Sequence, residues 1–226
     1  MEVKLKEFKA MNIIIGCIII SSIFANDTDS DISFRYSILG HLKSQNEKIT
    51  ELQDSSIIYS GDEIRINAGY NKGTHLYAIY KGSAGEFMLL YPEESELVDN
   101  VTDLPDTIYT TVLHWSPLSD PIGFETFYFI NSNLKLENLL ALLKRYNKVN
   151  ERGRTKLAKK IQNELDLLNP ETKQDLASIS SRLDEAVVGG VAFRGDDGTT
   201  LKDMSLTHFC SGKFGIAFKE IILNHQ

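Results

Sequence analysis

The sequence predicts an α+β fold: an antiparallel β-sandwich, with three helices packed on one face and strands that return near the C-terminal end. Three observations predict it. Between residues 61 and 130, short apolar, β-branched and aromatic runs are separated by glycine-rich turns. Between residues 133 and 187, leucine and isoleucine recur every three or four positions, as they do in amphipathic helices. After residue 187, runs of strand-forming residues resume.

The first 25 residues differ in kind from the rest of the chain. Lys4, Lys6 and Lys9 precede an uncharged apolar run that ends in small residues at Ala25. A basic start, a short apolar middle and a small-residue exit are typical of a secretory signal peptide, and the run is shorter than the ~20 residues of a membrane-spanning helix. We therefore expect cleavage after Ala25 and a periplasmic or secreted bacterial protein. An uncleaved N-terminal membrane anchor is the alternative.

We expect residues 26–55 to form a polar lead-in, and residues 56–226 to form one sandwich domain with a helical insertion at about 133–187. A hydrophobic content of 42% is near the globular average, so the core is large enough to fold without metal or disulfide staples, and we expect no cofactor. Once the leader is removed, Cys210 is the only cysteine, which excludes an internal disulfide.

The strands are predicted from alternation and from turn residues. Ile64, Ile66 and Ala68 alternate with polar neighbours, which indicates a half-buried strand. Glycines in the stretches 71–73 and 82–85 provide the tight turns that hairpins need. Further strands are predicted at 106–115, 124–130, 187–200 and 207–223.

The ribbon between residues 74 and 91 is apolar on both of its faces, so we expect both faces to be covered. Its tyrosines are therefore predicted to be core residues rather than an aromatic platform for a ligand. In the second strand of the ribbon, alternation predicts that Phe87, Leu89 and Tyr91 share one face.

Three helices follow, each with a single apolar stripe that must pack against another element. The first is expected to be capped by Ser132 or Asn133, and the third to begin at Asn169–Pro170. The stripes are Leu136, Leu139, Leu140 and Leu143; then Leu157, Ile161, Leu165 and Leu168; then Leu176, Ile179 and Leu183.

A series of short motifs between residues 57 and 135 resembles a bacterial domain of unknown function, the one numbered four-three-eight-four. The motifs are Gly61–Asp62, the tyrosine-rich strand Leu76–Tyr80, Gly85, Leu90–Tyr91–Pro92, Leu104–Pro105 and Gly123–Phe124–Glu125. The resemblance covers under half of the chain. It implies a small exported β-sandwich that serves as an accessory recognition module without a known active site.

The sequence lacks the strong motifs of metal, phosphate and nucleophile sites, so we expect neither an enzyme nor a metal site. Asp196 and Asp197 are adjacent, which is typical of a hairpin turn and not of the spaced ligands of calcium. His208 and Cys210 would share one face of a strand, where an imidazole can activate a thiol. A thiol-dependent hydrolase is thus the enzymatic alternative, and a buried structural cysteine is the expectation.

Charge is distributed unevenly. Residues 26–226 contain 21 Lys or Arg and 29 Asp or Glu, whereas the segment 144–160 contains eight basic residues and one acid. An acidic body with one basic stripe argues against general binding of nucleic acid. Four cations of the stripe are predicted to share the outer face of the second helix: Arg152, Lys156, Lys159 and Lys160.

These features predict an exported, non-enzymatic recognition module that binds a protein or an anionic envelope component, including headgroups at a membrane surface. The expected contact residues are the four cations, together with Tyr91 and Trp115 in loops. A solvated basic face paired with the protein's own acidic loops is the alternative for the stripe. A membrane-anchored envelope scaffold is the alternative for the whole protein, and no pattern in the sequence indicates an oligomeric state.

Overall fold

The computed structural model describes residues 32–92, 107–169 and 206–226, which belong to one compact unit, Asp31–Gln226. The predicted signal peptide, residues 1–25, lies outside the described residues. The strands are β1 (Ile32–Leu42), β2 (Lys48–Glu51), β3 (Ile57–Ile58), β4 (Glu63–Asn71), β5 (His75–Lys81), β6 (Phe87–Tyr91), β7 (Thr107–Pro117), β8 (Gly123–Ser132), β9 (His208–Gly212) and β10 (Ile216–His225). The helices are α1 (Glu137–Tyr146) and α2 (Glu151–Leu168), with a 3-10 turn at Lys43–Gln45.

The strands form two five-stranded sheets. Sheet A has the order β2–β1–β4–β7, and β9 pairs with the part of the β1 edge that β2 leaves open. Sheet B has the order β3–β10–β8–β5–β6. All pairings are antiparallel except that of β3 with β10, which is parallel. The predicted antiparallel, strand-rich architecture is confirmed.

Two turns form at the glycines that predict them, Gly73 and Gly85. The turn from β4 to β5 contains Gly73, with φ of 83°, and the β5–β6 hairpin turns at Gly85, with φ of 82°. Both values lie in the left-handed region that glycine adopts without a steric cost. The prediction of a hairpin at 71–73 is wrong, because β4 belongs to sheet A and β5 pairs with β6 and β8 in sheet B, so this turn connects the two sheets.

A first core fills the space between the sheets. Ile64, Ile66 and Ala68 of β4 point into it, as their alternation predicts. They face Phe129 of β8, which is 0% exposed and stacks on Tyr36 with 5.0 Å between ring centroids. The packing of two apolar faces defines a sandwich, and burial of this aromatic pair contributes much of its stability.

A second core covers the outer face of sheet B. Tyr77 and Ile79 of β5, with Tyr128 and Ile130 of β8, pack against both helices. The helices contribute their predicted stripes, of which Leu139, Leu143, Leu157, Ile161 and Leu165 are buried. Burial raises the pKa of Tyr128 to about 12, because the phenolate would lose its hydration there. The prediction that both faces of the ribbon are covered is confirmed for β5, whereas Met88 of β6 is 51% exposed.

The predicted lead-in at 26–55 is wrong from Ile32 onward. Ile32 begins β1, a strand that pairs with β4 along one edge and with β2 and β9 along the other. Phe34, Tyr36 and Ile38 of β1 are buried in the first core. Their period of two is visible in the sequence, although serine and arginine separate the apolar residues and make the run look polar.

A bulge in β6 overturns the predicted orientation of Tyr91. Ala78 pairs with Tyr91, whereas the next residue, Ile79, pairs with Leu89. The extra residue, Leu90, shifts the alternation, so Phe87 faces the helices while Tyr91 faces the first core.

The helical region contains two helices within the described residues, and the third predicted helix, from Asn169–Pro170 onward, lies outside them. The cap prediction for the first helix is wrong: α1 begins four residues after Asn133, and Leu136 occupies its N-cap without a side-chain hydrogen bond. In α2, the side chain of Asn150 accepts a hydrogen bond from the backbone N–H of Gly153 at 3.0 Å. Neither described helix has the length and hydropathy required to cross a membrane.

Candidate functional site

The four cations predicted to bind a partner lie together on α2. Arg152, Lys156, Lys159 and Lys160 are exposed, and their spacing puts them on the side of the helix opposite the buried stripe. We call these four residues the basic face. The stripe on the other side holds the helix against sheet B, so the basic face is presented on an anchored element.

The basic face has no ionic partner among the residues that the structure describes. Within the part of the chain that the structure describes, no ion pair joins any of its four side chains to a carboxylate. Further exposed cations flank it on α1 and at the start of α2, and the guanidinium of one of them, Arg154, lies 5.9 Å from the ring centroid of Tyr146. The flanking cations are Lys144, Arg145, Lys148 and Arg154.

The other two predicted contact residues do not join this surface. Tyr91 is 8% exposed, and its hydroxyl lies 2.7 Å from that of Tyr70 in the first core. The prediction that Tyr91 forms a contact surface is therefore wrong. Trp115 is half-buried on β7 of sheet A, whereas α2 packs on the outer face of sheet B.

Trp115 lies beside a small ionic cluster. Its ring meets the edge of the His41 ring at 5.9 Å between centroids. His41 Nδ1 lies 3.1 Å from Glu63 Oε2, and Lys43 Nζ donates to Glu63 Oε1 at 2.7 Å. These bonds, the one from Lys43 above all, lower the pKa of Glu63 below its usual value. The cluster links β1 to β4 at the surface, and within it the carboxylate of Glu63 contacts both His41 and Lys43.

β9 places His208 and Cys210 on the same side of the strand, as their spacing predicts. Each has a structural neighbour there. His208 Nε2 lies 2.8 Å from Glu51 Oε1, and its ring stacks on Tyr36 at 5.0 Å between centroids. The thiol of Cys210 donates to the carbonyl oxygen of Phe218 at 3.5 Å.

A further polar cluster occupies the end of sheet B where β10 lies between β3 and β8. His225 Nδ1 lies 3.2 Å from Glu125 Oε1, and the two side chains are 0% and 2% exposed. Ser60 is exposed, and its Oγ lies 3.0 Å from His225 Nε2. Tyr80 donates its hydroxyl proton to Glu125 Oε2 at 2.5 Å. Burial, followed by this bond, raises the pKa of Tyr80 well above its usual value.

Sequence reasoning did not find this cluster, although it had singled out two of the motifs involved. Ser60 precedes Gly61–Asp62, and Glu125 ends the Gly-x-Glu motif. Strand pairing brings Ser60 and Glu125 to His225. In sheet B, His225 of β10 pairs with Ile58 of β3, two residues before Ser60, and with Gly123 of β8, two residues before Glu125. The sequence signal that could have indicated this cluster is Glu125, a glutamate within a strand of aromatic residues. A carboxylate that is buried in such a strand requires a hydrogen-bonding partner.

Two features of the described residues bear on metal and ligand binding. Among these residues, no group of three or more His, Cys, Asp and Glu side chains is placed to hold a metal ion. A groove of about 340 Å³ lies between the start of α1 and the end of α2, lined by Leu136, Glu164 and Leu168 among others. The basic face does not line this groove. Nor does the cluster of Ser60, His225, Glu125 and Tyr80, which we call the Ser60 cluster.

Comparisons of the chain with protein-family models, with curated proteins and with solved structures gave no match. The resemblance described from the sequence motifs therefore stays a prediction.

Proposed function

We propose that this protein is an exported, non-enzymatic recognition module of the bacterial cell envelope, and that its basic face binds an anionic partner. The partner is a protein or an envelope component with clustered negative charge. The observation that supports this proposal is the set of four exposed cations on one side of α2, with no ion pair to the described residues.

Electrostatics favours this surface over the rest of the molecule. Each Lys or Arg near an anionic membrane surface contributes about 1 kcal/mol of attraction. Residues 26–226 carry a net charge of −8 although the segment 144–160 carries +7, so the remainder repels an anionic surface. This asymmetry orients the protein with α2 toward such a partner.

Reversal of three of these charges tests the proposal. We expect the variant Lys156→Glu, Lys159→Glu, Lys160→Glu to bind native envelope fractions and anionic phospholipid vesicles about 100-fold more weakly at low salt. Co-sedimentation with vesicles and capture of solubilised envelope proteins measure this separately for the two partner classes. Added salt should weaken binding by the wild type, because it screens exposed charges.

A matched control has the same change in net charge. Lys48, Lys72 and Lys213 are exposed and lie outside α2, and their triple replacement by glutamate should leave binding within about threefold of the wild type. Equal losses in both variants, or binding that is independent of salt, would contradict the proposal.

Export is supported by the basic and apolar pattern of the first 25 residues. Mass spectrometry of the protein recovered from the periplasm or the medium should show a chain that starts at Asn26. A membrane-bound protein that retains Lys4, Lys6 and Lys9 would instead support the anchored scaffold.

The thiol hydrolase is the weaker alternative. The Cys210 thiol donates to a backbone carbonyl, and the His208 imidazole faces the carboxylate of Glu51 and the ring of Tyr36. These neighbours suit a packed strand edge, where a free cysteine behaves as a small apolar residue.

A further inference from the structure

We infer that Ser60 is a reactive serine, activated by His225 and Glu125, that accepts an acyl or phosphonyl group from an activated ester. This activity is separate from the proposed binding at the basic face, because the Ser60 cluster is formed by β5, β8, β10 and the turn after β3, and by no residue of α2.

The three side chains have the connectivity of a nucleophile, a base and an orienting acid. Ser60 Oγ lies 3.0 Å from His225 Nε2, and His225 Nδ1 lies 3.2 Å from Glu125 Oε1. An ionised carboxylate only accepts hydrogen bonds, so the Nδ1 of His225 carries the proton. In the neutral ring, Nε2 is then the basic nitrogen, and it faces the serine hydroxyl.

The three side chains differ in how deeply they are buried. Glu125 and His225 are almost completely buried, whereas Ser60 is exposed at the surface. Tyr80 donates a second hydrogen bond to Glu125 and fixes the carboxylate against His225. When the ring takes a proton from Ser60, the buried carboxylate stabilises the imidazolium that forms.

One further charged group contacts the serine. Ser60 Oγ also lies 3.2 Å from Asp120 Oδ1, so the hydroxyl has two acceptors within reach. Rotation of the hydroxyl proton toward Nε2 prepares the nucleophile.

The reaction balances without a cofactor. Ser60 Oγ attacks the carbonyl carbon of the ester and forms a new C–O bond, while its proton passes to His225 Nε2. The bond to the leaving group then breaks, and the departing alcohol or phenol takes that proton. The product is Ser60 esterified by the acyl group. With a fluorophosphonate, Ser60 Oγ attacks phosphorus, the P–F bond breaks, and fluoride leaves with the proton, so that Ser60 becomes a phosphonyl ester.

The local backbone limits the class of substrate. The N–H of Ser60 donates to the carbonyl of Gln226 at 3.3 Å, and the N–H of Gly61 donates to that of Leu118 at 2.9 Å. Neither N–H is free to stabilise an oxyanion, which is a large term in efficient acyl transfer. We therefore expect stoichiometric modification by esters with good leaving groups rather than rapid turnover.

The full chain, labelled with a fluorophosphonate probe or with p-nitrophenyl acetate, provides the test. Tryptic digestion and mass spectrometry should locate the label on Ser60, at a rate about 100-fold above that of Ser119, an exposed serine in the loop that precedes β8. Ser60→Ala should remove this label. His225→Asn, which retains a donor for Glu125, should reduce the rate at Ser60 to that of Ser119.

Two results of the labelling experiment would count against the inference. Labelling of Ser60 no faster than Ser119 in the wild-type protein would overturn it, and this measurement does not depend on the folding of any variant. Fast labelling of Ser60 in a folded His225→Asn protein, with an unchanged thermal transition, would overturn the role of the base.

Discussion

Replacing Phe129 with alanine is expected to lower the free energy of unfolding by about 3–5 kcal/mol. The ring is 0% exposed and lies between the two sheets, 5.0 Å from the ring of Tyr36 and 6.4 Å from that of Phe34. Its removal leaves a cavity between neighbours on β1 that the sheets cannot close. A loss of this size is a large part of the ~5–15 kcal/mol by which a domain is stable. Urea unfolding followed by fluorescence or circular dichroism measures it.

The same strand provides the control. Phe124 of β8 is 66% exposed, so Phe124→Ala should change the unfolding free energy by only about 0.5 kcal/mol or less. A loss below about 1 kcal/mol for Phe129→Ala would mean that the two sheets are not held together by this core.

Replacing Glu125 with alanine should cost about 2–4 kcal/mol, because it leaves two hydrogen-bond donors without their acceptor. His225 Nδ1 and the hydroxyl of Tyr80 would both lose their acceptor, and His225 is only 1% exposed. Thermal or urea unfolding at neutral pH measures the effect.

Glu125→Gln is the matched variant, since the amide keeps an oxygen that accepts one of the two hydrogen bonds. Its loss should be smaller, about 1–3 kcal/mol. Equal stabilities of the wild type and Glu125→Ala would show that the contact between Glu125 and His225 contributes nothing to folding. The labelling of Ser60 is a separate measurement and does not depend on this result.

Local signals predicted most of the fold. The alternation of Ile64, Ile66 and Ala68 and the turns at Gly73 and Gly85 depend only on neighbouring residues, and the structure has them as predicted. The bulge at Leu90 was not predictable, because it depends on which residues of β5 pair with β6.

The basic face was predictable because helical periodicity fixes which residues share a side. Arg152 and Lys159 are separated by seven positions, close to two turns, so both lie opposite Leu157 and Ile161. The Ser60 cluster follows no such local rule. Ser60 and His225 meet because β3 runs parallel to β10 across a large separation in the chain, and no spacing within the sequence encodes that pairing.

The position of β10 also constrains when the protein can fold. Although it follows every other described strand in the sequence, β10 lies inside sheet B between β3 and β8, and β9 completes the edge of β1. A nascent chain on the ribosome therefore lacks an interior strand until residues 216–225 have been synthesised. Contacts between distant segments form slowly. Sheet B therefore cannot be completed before those residues emerge, and an incompletely folded chain is the state that the export proposed above would require.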